Sequence, residues 1–391
     1  MYRVVGHGSG CWPTARQRLL IEGCVGRRDS DAAWLEYAAE VGEGGVNEGD
    51  VRLFPLLASR ISAKAGQDPR FGPLRRERLR AVAASAKLER AARNVSDFFA
   101  QAGIDFVVLK GFALTATVYR ESGLRPFADI DLMVRPEAVP KIVDLLQKAG
   151  WLPKRKYPDL TAERLLYLRA FAFTSPDGLD VDIHWRQRGA FQWDMRVDRD
   201  FWANLRSAEW KDRSWRVPGF DWMLLDTIEH GTEWNEVHSI RWVVDSVLLL
   251  DRAEIDWEKV LSYVIANRRA SSFHKALALI HDCGGKVPAT VLEKLADAKP
   301  SALERLEMRL RMRPEGFFGP YLKSMLVNYF LHAPGGFRAR LFGVWGYALR
   351  HILGYGSGES LGSIVTRKYR TRRKEFLART NANAANRERS I

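Results

Sequence analysis

The chain has 391 residues, 46% hydrophobic and 28% charged, with a formal net charge of +14 from 61 Lys and Arg against 47 Asp and Glu. Its three cysteines, Cys11, Cys24 and Cys283, show no paired spacing, which excludes a disulfide framework and a cysteine-based zinc site. No leader of the signal type opens the sequence and no stretch reaches about 18 uninterrupted apolar residues, so the expectation is a cytoplasmic protein without a membrane partner.

Residues 1 to 12 are glycine-rich and aperiodic. The string Gly6-His7-Gly8-Ser9-Gly10 has neither a preceding strand nor a following Lys-Ser/Thr, so it is not a phosphate loop. From Trp12 to Asn94 the pattern is helical, broken at Gly42-Glu43-Gly44-Gly45 and at Asp68-Pro69. Arg70 to Arg93 mixes bases with alanines at helical spacing and reads as the exposed face of an amphipathic helix. Val95 to Ala102 closes a helix.

Phe106 to Leu109 is a short apolar run of the kind that forms a strand buried on both faces. Lys110-Gly111 ends it, and Phe112 to Tyr119 reads as a helix. Strand, glycine turn, helix is an arrangement that holds phosphate, because glycine admits close backbone approach and a helix N-terminus favours anions. A tight turn without a ligand has the same pattern.

Next comes Phe127-Ala128-Asp129-Ile130-Asp131-Leu132-Met133-Val134. Residues two apart on a strand share a face, so Asp129 and Asp131 project together while Ile130, Leu132 and Val134 turn to a core. Paired carboxylates repel unless a cation lies between them, and hard divalent ions take such oxygen ligands. The alternative is an exposed turn entering a strand. Pro136 to Gly150 then reads as a helix ended by glycine.

Phe171 to Thr174, the turn Ser175-Pro176-Asp177-Gly178, and Leu179 to Trp185 form a hairpin. In its second strand Leu179, Val181, Ile183 and Trp185 share one face and Asp180, Asp182 and His184 the other. Paired beside Asp131, this strand would bring in a third carboxylate, Asp182 first and Asp180 second; an ordinary solvated edge has the same look.

Beyond it, nine of the thirteen tryptophans fall between Trp185 and Trp257, which indicates helix packing. Helices are expected to dominate from Phe201 to Tyr355, interrupted at Pro218-Gly219 and Pro334-Gly335. Ile240 to Leu250 reads as a buried helix. His230, Trp234, His238 and Arg241 have the spacing of one helix face and would form a polar wall, or else satisfied histidines with an ion pair from Arg241 to Asp245. Arg367 to Arg379 holds seven bases and one acid, Glu375, either a solvated tail or an anion-binding patch.

Three separated motifs carry a resemblance: Lys110-Gly111-x-Ala113-Leu114, then Arg125-Pro126-x-x-Asp129-Ile130-Asp131-Leu132-x-Val134, then Val181-Asp182-Ile183-His184-Trp185. With Arg241-Trp242-x-x-Asp245 further on, residues 95 to 255 resemble the uncharacterised nucleotidyltransferase family of bacteria, within the polymerase-beta-like superfamily. The resemblance implies an α+β fold, a small mixed sheet flanked by N- and C-terminal helical regions. The divisions expected are 1–94 helical, 95–200 nucleotidyltransferase core, 201–355 helical and 356–391 a basic tail. It implies that two Mg²⁺ ions (or Mn²⁺) are held by Asp129, Asp131 and Asp182, and that Asp182 activates the acceptor. It implies that a nucleoside triphosphate such as ATP is held by Lys110 and Gly111. Arg125 stands beside them, as a phosphate contact or in a salt bridge with a nearby acid, and Asp180, His184 and Arg241 form a surrounding shell.

The resemblance implies transfer of a nucleoside monophosphate from the triphosphate to a small molecule, peptide, protein or RNA end, with release of pyrophosphate. One departure stands out: Phe112 follows the glycine where many superfamily members have a phosphate-contacting serine. The competing expectation is therefore a non-catalytic protein of the same fold that binds RNA or a protein partner through basic surfaces. Retention of all three acids weighs against it, since acids gathered without a cation are unfavourable.

Overall fold

A computed structural model of the chain describes residues 11–42, 45–154, 165, 169–186, 195–233, 237–238, 240–311, 326–327, 329–331, 333, 336–347, 366 and 369–370. The chain divides into two compact units, 1–299 and 300–391. The first opens with helices α1 (Ala15–Val25), α2 (Ser30–Val41), α3 (Glu48–Val51), α4 (Phe54–Ala58) and the long α5 (Gly72–Gln101). Helix α1 starts on a capping box in which Thr14 and Gln17 satisfy each other's backbone N–H groups.

The sheet that follows is mixed. Its strands are β1 (Phe106–Val108), β2 (Ile130–Val134), β3 (Leu152–Pro153), β4 (Ala170–Thr174) and β5 (Asp180–His184), in the order β1-β2-β5-β4-β3. Only the β2–β5 pair is parallel. Every residue of β2 is buried, as its apolar run requires. The β4–β5 hairpin closes as its turn residues dictate: Ser175 Oγ accepts the Leu179 N–H at 3.0 Å, and Gly178 takes φ +80°. The α+β architecture matches the expectation.

Between β1 and β2, helix α6 (Lys110–Leu114) begins two residues earlier than expected and passes into a π-helical turn at Thr115–Tyr119. Helix α7 (Val139–Lys148) follows β2. After α8 (Met195–Ala203) the structure departs from the expected run of helices: β6 (Arg206–Trp210) and β7 (Arg213–Val217) form a separate hairpin. Its turn, Lys211-Asp212, has both residues at positive φ, 46° and 63°. That is the backbone of a tight hairpin turn built without the glycine that announces one.

Helices α9 (Phe220–Gly231), α10 (Arg241–Arg252), α11 (Trp257–Ala266), α12 (Ala270–Asp282) and α13 (Ala289–Asp297) complete the first unit. Trp185, Trp210, Trp215, Trp222 and Trp242 are all buried, so the tryptophan-rich window does serve packing. In the second unit the described helices are α14 (Ala302–Arg311) and α15 (Phe337–Tyr347). Pro334-Gly335 and most of the basic segment 367–391 lie outside the described residues. Among the described residues no helix is long and apolar enough to cross a membrane.

Candidate active site

Parallel pairing of β2 with β5 sets Asp131 opposite Asp182 and Met133 opposite His184. The polar row of β5 and the acid of β2 thus share a face. One donor atom each from Asp131, Asp182 and His184 lie within 4.8 Å of one another. The alternation read from the sequence produces this convergence; the register decides which acids meet.

Asp131 Oδ1 is the centre of the cluster. Lys110 Nζ donates to it at 2.6 Å, and His184 Nε2 lies 2.8 Å from the same oxygen. Burial opposes charge on Asp131, but Lys110 and His184 outweigh it and hold the carboxyl well below the usual carboxylate range. His184 is pushed down by burial and by the Lys110 charge, and is therefore neutral. Lys110 reaches in from a strained start to α6, with φ 45° in the left-handed region.

Asp129 precedes β2 and is pushed up to about 6, first by burial and then by Asp131, with Asp182 adding and Lys110 opposing. The single ammonium of Lys110 does not compensate this group of acids. Two carboxylates and a neutral imidazole within one ion's reach, with an under-compensated carboxylate beside them, fit a divalent cation. Asp180, by contrast, gives its carboxylate to Lys154 at 2.5 Å and Thr174 at 2.9 Å.

The glycine turn is built for close approach. A Cβ on Gly111 would fall 2.7 Å from Phe127 Cβ and 2.9 Å from Arg125 Nη1. Phe112 points away from the turn into the core, with its ring 4.6 Å from that of Trp215 and 6.2 Å from that of Phe127. Of the two readings for Arg125, the salt bridge is made: Nε and Nη2 grip Asp245 at 2.9 Å each.

The polar wall expected on one helix is not formed. Helix α9 ends at Gly231 and α10 begins at Arg241, so His230 and Arg241 belong to different helices. His238 lies between them, its Nε2 3.0 Å from the Trp12 carbonyl oxygen, and Trp234 is outside the described residues. The break has a packing cause: a Cβ on Gly231 would sit 2.1 Å from Trp242 Cγ, so the two helices meet at a glycine where the chain turns back.

Asp226 was not among the residues expected at the site. It lies one turn before His230 on α9, 3.3 Å from His230 Nε2, and its charge acts on Lys110. The Asp-x-x-x-His spacing was readable from His230; its approach to Lys110 was not. Together these elements enclose a cleft of about 520 Å³. Its lining includes Lys110, Gly111, Asp129, Asp131 and Asp226 with Arg52, Arg125, His230 and Arg241.

Residues 50–285, more than half the chain, match the model of a family described as uncharacterised nucleotidyltransferase. The chain belongs to that family. No curated protein matches it. Among solved structures, this nucleotidyltransferase is similar to the antibiotic-resistance factor ANT(2'')-Ia, at 13% identity and a TM-score of 0.33, over 51% of this chain and 97% of that one. So distant a likeness carries no argument about substrates.

Proposed function

We propose that this nucleotidyltransferase moves a nucleoside monophosphate from a nucleoside triphosphate, ATP among the candidates, to an acceptor nucleophile, releasing pyrophosphate. The observation that carries the reading is the in-register meeting of Asp131 and Asp182 beside the Lys110-Gly111 turn. Asp129, Asp131 and Asp182 would hold two Mg²⁺ ions, or Mn²⁺ in their place, with His184 adjoining. When bound, such ions neutralise phosphate charge and align the displacement.

Each of the chain's own groups then has a task. Gly111 lets the triphosphate approach the backbone. Lys110 exchanges its contact with Asp131 for phosphate oxygens, and Arg125 flanks the turn. The acceptor hydroxyl forms a bond to the α-phosphorus, the bond from that phosphorus to the pyrophosphate oxygen breaks, and the hydroxyl proton passes to the Asp182 carboxylate. Phe112 leaves the cleft open because its ring is core, so the missing serine does not obstruct nucleotide entry. The acceptor is a small molecule, a peptide or protein side chain, or an RNA end. A bacterial cytoplasmic setting agrees with three buried, unpaired cysteines.

The test is a thermal-shift series with ATP, CTP, GTP and UTP, with and without Mg²⁺, on wild type and Asp182→Asn. A rise in Tm that needs both metal and nucleotide, and that the variant loses, supports the reading. Equal melting in all arms ends it. Incubation with labelled triphosphate and cell extract then shows which molecule is modified.

A further inference from the structure

Arg125 and Arg241 reach the cleft from different elements and lean on one carboxylate. Asp245 accepts both Nε and Nη2 of Arg125, each at 2.9 Å, and the Tyr119 hydroxyl at 2.6 Å. Arg241 gives an Nη1 N–H to the Pro126 carbonyl. Its Nε stands 3.9 Å from Asp245, beyond hydrogen-bond reach. Two guanidiniums thus share a single carboxylate, and one positive charge is left over.

Two donors are left over as well. Arg125 Nη1 and Arg241 Nε are buried and make no hydrogen bond. Arg125 is only 7% exposed, and a buried guanidinium donor without an acceptor is costly. Arg52, a further cation on the cleft, is paired with Glu48 at 3.4 Å, so that pair adds no net charge. Burial and the neighbouring charge of Arg125 push Arg241 down to about 9, the direction expected of a cation short of counter-ion.

The place of these donors names the missing anion. Both arginines line the cleft, and Arg125 Nη1 lies against the Gly111 turn. We propose that Arg125 Nη1 and Arg241 Nε seat the terminal phosphate of a nucleoside triphosphate, so that this chain distinguishes triphosphates from diphosphates. A terminal phosphate supplies both acceptor oxygens and the missing negative charge. Asp245 is the positioning residue, because its grip on Nε and Nη2 turns Nη1 outward. The inference rests on the function proposed above and adds a specificity determinant to it.

Calorimetry with Mg²⁺ and tri- and diphosphates of the same base (ATP with ADP, and likewise for G, C and U) cancels base preference. Wild type should favour the triphosphate by about 30-fold, in line with charge-assisted bonds to a desolvated fork. Arg241→Gln should cut that ratio to about 3-fold or less while leaving diphosphate affinity within about 2-fold, and Arg241→Lys should recover part of it. Tight Mg²⁺-dependent binding with an unchanged ratio in Arg241→Gln overturns this inference and leaves the proposed function standing. The same holds if the variant weakens inorganic phosphate binding alone, which assigns the seat to an acceptor phosphate. Absence of binding by all four triphosphates overturns both. If Arg241→Gln does not fold, wild type in EDTA decides: tripolyphosphate must raise Tm more than pyrophosphate at equal concentration, and an equal rise refutes the seat.

Discussion

Asp129 and Asp131 are two residues apart and face opposite electrostatic fates. Asp131 lies between Lys110 and His184 and stays ionised, whereas Asp129 is pushed up to about 6 by burial and by Asp131. The sign of the stability effect follows. The native state holds a proton on Asp129 between about pH 4 and 6 that the unfolded chain has released, so metal-free stability rises as pH falls through that window and the full cost is present above it. At about 1.4 kcal/mol per pH unit, the cost is at most about 3 kcal/mol. Asp129→Asn should therefore raise metal-free stability at pH 7.5, by urea unfolding in EDTA, with the gain fading below pH 4. Asp131→Asn has the opposite sign. It strips the carboxylate from the largely buried Lys110 and from His184, and should cost about 3 kcal/mol in the same assay. Two acids that look alike in the sequence thus differ because only one is reached by Lys110.

At the scale of elements, the cleft depends on how α10 is fastened to the π-helical turn and to the segment before β2. Tyr119, Arg125 and Asp245 form a buried network joining all three. Asp245→Ala leaves two buried guanidiniums without their carboxylate and should cost about 3–5 kcal/mol in denaturant unfolding. Gly231→Ala tests the crossing of α9 and α10: its Cβ would overlap the Trp242 ring, at 2.1 Å, so the helices must separate. A loss of about 3 kcal/mol or more is expected from such overpacking, with a lowered Tm as the check. The β4–β5 hairpin and the helical spans were legible because their turn residues and apolar periods are local signals. The β6–β7 hairpin was not: Lys211-Asp212 lacks glycine, and the buried Trp210 and Trp215 suit a helix core as well as a strand. The single-helix wall through His230 and Arg241 failed for a related reason, since spacing alone does not reveal that Gly231 is a crossing point.

For the whole molecule, charge is unevenly shared. Residues 300–391 carry 17 Lys and Arg against 6 Asp and Glu, so this unit holds +11 of the formal +14. Unit 1–299, which contains the cleft, is close to neutral. Affinity for a polyanion such as RNA should therefore follow the second unit and fall steeply with salt. Replacing Arg372, Arg373 and Lys374 by Glu should weaken RNA retention at 50 mM salt by about tenfold or more and reduce the salt slope, as read by filter binding. Nucleotide-dependent melting should not change; if RNA retention also stays the same, the basic segment is only a solvated tail.

By itself the sequence determined the family motifs, the α+β class and the polar row on β5, because those depend on neighbours a few residues away along the chain. Only the tertiary structure decided that Asp131 meets Asp182 and His184, that Lys110 takes the place of a counter-ion among them, and that Arg125 and Arg241 divide one carboxylate. Strand register, helix crossing and burial bring together side chains separated by tens to more than a hundred positions, and electrostatic strength depends on that distance and on exclusion of water, neither of which is written in spacing.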